Sequence, residues 1–231
     1  VSTKPVVLLL FSLCLGGCEW GNQTPDPTET PEGTNAYQMV TGEDSEDERS
    51  HWDAFLNRAQ YVYGKEPAPF LKENIHVVRP GRALDIAMGE GRNAVFMAKR
   101  GFQVDGVDIS EVAIRKALRL ARENHVTLTP INADLNKYQV QPETYDLIVT
   151  INFLYRPFIP ALKKGLKRGG YVIYENYTVD QLKNALGQNL RRDWLLQKGE
   201  LKELFKDFEI LVYKETDDGK DALASIVARK P

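Results

Sequence analysis

Asp85-Ile86-Ala87-Met88-Gly89-Glu90-Gly91-Arg92-Asn93 constrains this chain more than any other stretch. An apolar run carrying an acid ends in two glycines, and a helical pattern starts at once. Glycine takes up positive φ where a turn needs it and lets a ligand approach the backbone. A helix that starts there turns free N–H groups toward the same turn. Nineteen residues past Gly89 a second acid, Asp108, closes the apolar stretch Gly101–Val107. Strand, glycine turn, helix and a second strand ending in an acid describe two neighbouring parallel strands with a nucleotide-type cofactor across their carboxyl ends.

The surrounding pattern extends this unit into a domain. Strands are expected at Arg82–Ala87, Phe102–Val107, Val126–Ile131, Tyr145–Ile151, Tyr171–Glu175, Phe208–Lys214 and Ala222–Ala228. Helices are expected at His51–Tyr63, Phe70–Ile75, Arg92–Arg100, from the Ser110 cap to about Asn124, and at Pro157–Leu166, Asp180–Leu186 and Gly199–Phe205. Pro130 implies an edge position for the third strand. Alternating strands and helices argue a doubly wound α/β sheet. The turn Asp217-Asp218-Gly219 is too short for a crossover helix, so the last two strands pair antiparallel. The fold class is α/β: a mostly parallel, seven-stranded, Rossmann-like sheet with a C-terminal antiparallel hairpin.

Composition excludes several chemistries. The two cysteines, Cys14 and Cys18, lie at the N-terminus, so residues 51–231 have no disulfide, thiol nucleophile or thiolate-bound metal. His51, His76 and His125 lack the spacing of a metal site, and no metal is expected. The net charge of −2 divides into +1 over residues 1–18, −8 over residues 19–50 and +5 over residues 51–231. A surplus that small gives no ground for a nucleic-acid partner, and the run Lys163, Lys164, Lys167 and Arg168 reads as a solvated face.

The glycine turn also satisfies the dinucleotide fingerprint, which leaves an NAD- or FAD-dependent oxidoreductase open. Asp85 argues against it, because an acid there repels a pyrophosphate but suits a cofactor carrying an ammonium group. Asn132-Ala133-Asp134 follows the third strand, where an acid or amide can read an adenine amino group.

Asp-x-Ala-x-Gly-x-Gly at 85–91, Gly-Val-Asp-Ile-Ser at 106–110, Asn-Ala-Asp at 132–134, Tyr-Asp-Leu-Ile at 145–148 and Gly-Gly-Tyr-Val-Ile-Tyr-Glu at 169–175 resemble class I S-adenosylmethionine-dependent methyltransferases over about 75–228. One departure is Ala87, where that family often has glycine. Gly89–Ala94, Trp52 with Tyr61-x-Tyr63-Gly64, and Phe153–Pro157 resemble its tellurite-resistance-type branch, whose members methylate small molecules. The resemblance implies that S-adenosylmethionine is the cofactor. It places Asp85 and the turn residues Ala87, Gly89, Glu90, Gly91 and Arg92 at the amino-acid end. Asp108 takes the ribose hydroxyls and Ile109 packs on the adenine. Asp134 takes the adenine amino group with Ala133 and Leu135 alongside, and Asn152 lies near the transferred methyl. The acceptor is expected among Trp52, Tyr61, Tyr63, Asn152, Tyr155, Arg156, Glu175 and Tyr177. There Arg156 holds an anionic acceptor and Glu175 acts as a base or orients one.

The N-terminus carries a separate message. Lys4, the apolar stretch Val6–Leu15 and Leu15-Gly16-Gly17-Cys18 read as an export signal over residues 1–18. The last four resemble a bacterial lipobox, which makes Cys18 the lipidated residue of a membrane anchor. Residues 19–50 then form a disordered acidic linker, followed by the methyltransferase domain at 51–231. A start at Met39 is the alternative and places the domain in the cytoplasm. Export away from the cofactor supply also keeps open a membrane-tethered binding module without catalysis.

Overall fold

The computed structural model describes residues 45–184, 187 and 190–231. The signal segment with Cys14 and Cys18, and the alternative start at Met39, lie outside these. Among the described residues no helix is long and apolar enough to cross a membrane.

Seven strands form one sheet in the order β3-β2-β1-β4-β5-β7-β6. They are β1 Arg82–Ile86, β2 Gln103–Asp108, β3 Thr129–Asn132, β4 Tyr145–Ile151, β5 Leu166–Tyr177, β6 Glu209–Asp217 and β7 Ala222–Arg229. The first five are mutually parallel, and β7 enters antiparallel between β5 and β6. Pro130 sits opposite Gly106 on β3, an edge strand whose far side needs no N–H donor.

Helices cover both faces because the central strands are apolar on both. The helices are α1 Ser45–Leu56, α2 Pro69–Asn74, α3 Arg92–Lys99, α4 Glu111–Glu123, α5 Ile159–Gly165 and α6 Glu200–Leu204. On one face Leu84, Ile148, Val172 and Tyr174 pack with Phe158, Leu162 and Phe205. On the other Ala83, Leu147, Val149 and Ile173 pack with Phe70, Leu71, Met97 and Ala117. Successive strand residues therefore belong to opposite cores, as the period of two requires.

Several boundaries differ from the sequence reading. The first helix runs from Ser45 to Leu56 rather than from His51 to Tyr63, so the last residues of the stretch read as linker are helical. It stops at Leu56 because a lysine from α4 captures the next carbonyls, as described below. β5 begins at Leu166 and passes through Gly169-Gly170, with Gly169 at φ 76° and a register shift opposite Tyr145/Leu147. The stretch expected to be helical from Asp180 to Leu186 is a 3-10 turn over Val179–Lys183, and residues 185 and 186 lie outside the described set. Ser110 caps α4 as expected: its Oγ accepts from the Ala113 N–H at 3.0 Å.

Candidate active site

A cavity of about 600 Å3 opens where the carboxyl ends of β1, β2, β3, β4 and β5 meet α1. One side of it is the turn after β1. Ala87 stands at φ 52°, Gly89 at 55° and Gly91 at 87°. Ala87 thus holds a left-handed conformation that glycine adopts more easily, at a cost of about 1–2 kcal/mol. A Cβ on Gly91 would lie 2.6 Å from Ala117 Cβ, so this glycine lets α3 start against α4. Gly91 itself does not line the cavity; Ala87, Gly89, Glu90 and Arg92 do.

Asp108 at the end of β2 is built into this turn. Its Oδ2 accepts from the Gly89 N–H at 2.7 Å and its Oδ1 from the Ser110 N–H at 2.9 Å. Burial pushes its carboxyl up to about 6, against the pull of those two N–H groups. Asp134, past β3, accepts at Oδ1 from the Asn136 backbone and side chain at 2.8 and 2.9 Å. Its buried Oδ2 has no hydrogen-bond partner and belongs to a residue on the cavity wall, with Lys137 Nζ 3.6 Å away. A buried carboxylate oxygen in that state requires a donor. Ile109 and Leu135 line the same end, whereas Ala133 does not and instead packs on the core.

Two expected site acids are placed elsewhere. Asp85 is only 1% exposed, lies under the turn and is absent from the cavity wall. Burial, and next the Asp108 charge, push it up to about 8, with Arg92 and the Ala94 N–H opposing. Glu175 shares a sheet face with Ile173 rather than with the wall residue Asn176. Its Oε2 accepts from Ser225 Oγ at 2.7 Å, and burial raises its pKa. Glu175 thus does not reach the acceptor as a base; the residue next in sequence, Asn176, does the lining. Alternation along Val172, Tyr174 and Asn176 carried that information.

Arg156 is likewise corrected. It lies on the wall, but its Nε and Nη2 grip Glu200 at 2.5 and 2.9 Å, and Nη1 and Nη2 donate to the Asp193 and Leu195 carbonyls at 2.6 and 2.8 Å. The guanidinium is a clamp between the β4 end and the 193–200 segment, not a hand for an anionic acceptor. Asn152 (φ 56°), Tyr155, Tyr63, Tyr177 and Trp52 stand on the wall as expected. Tyr61 is absent from it: its hydroxyl donates to the Lys116 carbonyl at 3.1 Å.

The sequence reading missed the parts that hold α1 over the cavity. Lys116 Nζ, nearly buried, donates to the carbonyls of Leu56, Arg58 and Gln60 at 3.1, 3.1 and 2.6 Å and pairs with Glu90. Glu90 Oε2 also accepts from the Tyr63 N–H at 3.3 Å. Asp53 Oδ1 accepts from Ser110 Oγ at 2.5 Å and from the Val112 N–H at 3.1 Å, which pins α1 to the start of α4. Glu48 of α1 completes the wall beside Asp134. Burial, and then the Asp134 charge, raise its pKa. Only the helical spacing of α1 hinted at these roles. Among the described residues no cluster of acids and histidines could hold a metal.

The strand order with an antiparallel last strand, and the acids at the ends of β2 and β3, define the class I S-adenosylmethionine-dependent methyltransferase architecture. Residues 66–221 match the family described as "Tellurite resistance protein TehB", and the chain belongs to that family. A probable S-adenosyl-L-methionine-dependent methyltransferase TehB from Haemophilus influenzae is 28% identical over 173 residues, spanning 67% of this chain and 59% of its own length. The chain thus matches about three-fifths of that relative. The crystal structure of TehB from Haemophilus influenzae superposes with a TM-score of 0.61 at 24% identity, over 79% of this chain and 67% of the other. A SAM-dependent methyltransferase from Aquifex aeolicus gives 0.57 at 16% identity, over 71% and 90%. These two show the fold. The family sets aside the oxidoreductase reading of the glycine turn.

Proposed function

We propose that the chain binds S-adenosylmethionine in this cavity and transfers its methyl group to a small acceptor by in-line displacement. The carrying observation is the buried Oδ2 of Asp134, which accepts no hydrogen bond, on the wall shared with Asp108. When bound, the cofactor supplies a methyl carbon on a cationic sulfur, already activated for displacement. The protein's own task is then orientation and the exclusion of water. Asp134 Oδ2 accepts from the adenine amino group, and Asp108 accepts from the ribose hydroxyls while keeping its Gly89 and Ser110 bonds. Ile109 and Leu135 flank the base. Arg92 faces the cofactor's carboxylate. Asn152 and Tyr155 border the space left for the acceptor. No strong general base is required where the leaving group is this good.

Calorimetry on the full chain tests the reading. Asp108→Ala is expected to weaken S-adenosylmethionine binding about 10- to 100-fold, the worth of a charge-assisted hydrogen bond or two, with an unchanged far-UV circular dichroism spectrum. Unchanged affinity rejects the cofactor site. The proposal also takes residues 1–18 as an export signal and Cys18 as a lipidated anchor. Metabolic fatty-acid labelling that disappears in Cys18→Ser supports it; a mature chain starting at Met39 rejects it.

A further inference from the structure

We propose that Arg49 and Asp53 of α1 are positioning residues of the cofactor site: they hold the loop that carries Asp108 and Ile109, so that the seating of α1 and the binding of S-adenosylmethionine strengthen each other. The inference rests on the cofactor reading above and adds residues that touch no cofactor.

Two neighbouring rows of α1 carry it. Residues four apart on a helix share a face, and the next residue along opens a second face. Glu48, Trp52 and Leu56 form the row on the cavity wall. Arg49 and Asp53 form the row beside it, and neither lines the cavity. Asp53 Oδ1 accepts from Ser110 Oγ at 2.5 Å and from the Val112 N–H at 3.1 Å. Arg49 Nη1 donates to Asn132 Oδ1 at 3.2 Å and lies 3.9 Å from Glu111. Asn132 Nδ2 in turn donates to the Asp108 and Ile109 carbonyls at 3.2 and 2.9 Å. One helical row thus grips residues 108–112 twice, through Asn132 and at Ser110 with Val112.

That grip bears on the Asp108 carboxylate. Its two oxygens offer about four lone-pair positions. The Gly89 and Ser110 N–H groups occupy one on each oxygen, which leaves one on each for the ribose hydroxyls. The plane of the carboxylate is therefore set by where Gly89 and Ser110 stand, and Ser110 is the residue that Asp53 holds. After burial, the charge of Asp53 also raises the Asp108 pKa. Its favourable contribution therefore lies in its two accepted bonds, which an amide oxygen can also accept. Ser110 Oγ itself caps the Ala113 N–H at 3.0 Å, so α4 still starts when Asp53 is removed. Bonds that align a binding group from behind act by preorganisation. By linkage, the cofactor steadies α1 by the same factor by which α1 strengthens its binding.

Calorimetry of S-adenosylmethionine binding to the full chain tests this in the parent, Asp53→Ala, Asp53→Asn, Arg49→Ala, Asp108→Ala and the double variant Asp53→Ala with Asp108→Ala. Asp53→Ala is expected to weaken binding about three- to tenfold, and Arg49→Ala about two- to fivefold, the net worth of a hydrogen bond. Asp53→Asn is expected to stay within about twofold of the parent, since its amide oxygen accepts the same two bonds. Once Asp108 is alanine, Asp53→Ala is expected to lose no further affinity, because the group it aligns is gone. S-adenosylhomocysteine is expected to slow amide exchange across α1 in the parent and to do so less in Asp53→Ala. Parent affinity in both Asp53→Ala and Arg49→Ala, a loss in Asp53→Asn as large as in Asp53→Ala, or the same Asp53→Ala loss with and without Asp108 overturns the proposal. A parent that binds no S-adenosylmethionine, or Asp108→Ala that binds it as tightly as the parent, overturns the cofactor reading instead.

Discussion

Asp85 shows how one side chain can be right in type and unexpected in setting. An acid was legible at the end of the first strand, but its depth was not, because burial is decided by the turn that folds back over it. Its pKa near 8 lies above the ordinary carboxylate value, so the folded state holds a proton that the unfolded chain releases. Ionised Asp85 opposes folding. That penalty is absent below about pH 4, grows as pH rises toward 8 and levels off above. Asp85→Asn is therefore expected to match the parent in urea at pH 4 and to exceed it by a few kcal/mol at pH 8.5. Equal urea midpoints at both pH values would refute this. Glu175 teaches the same lesson: it stands one residue before the wall pair Asn176 and Tyr177, and apolar runs on both faces of β5 conceal that its carboxylate turns to Ser225.

At the scale of elements, α4 was readable from end to end, since Ser110, Glu111 and the buried stripe of Ala113, Ile114, Ala117 and Leu120 are local signals. The end of α1 was not, because its terminator sits about 60 residues away on α4. Lys116 gathers the 56–60 carbonyls and Glu90 into one knot, so it positions the segment that roofs the turn. Lys116→Met is expected to destabilise the protein by about 3–5 kcal/mol, the usual result of stranding a buried charge. Amide hydrogen exchange should accelerate over 57–64 specifically. Adding Glu90→Gln to Lys116→Met should recover part of the loss, since the stranded carboxylate is then gone. Uniform exchange across the chain, or no recovery, would argue against the knot.

For the whole molecule, the doubly wound sheet, the edge place of the third strand and the antiparallel close were legible from alternation, from Pro130 and from one short turn. The clamp that ties β4 to the 193–200 segment was not, because Arg156 and Glu200 are matched only in space. Arg156→Lys keeps the charge but loses the planar two-pronged grip. It is expected to cost about 1–3 kcal/mol in denaturant, discounted for its partial exposure, and to loosen exchange near Leu195. A stability equal to the parent would show the clamp to be idle. The family match begins at residue 66, yet Glu48, Trp52, Leu56, Tyr63 and Gly64 all stand on the wall before that point. A substitution on the α1 side of that wall, at Trp52 for instance, therefore reshapes the doorway without touching the glycine turn.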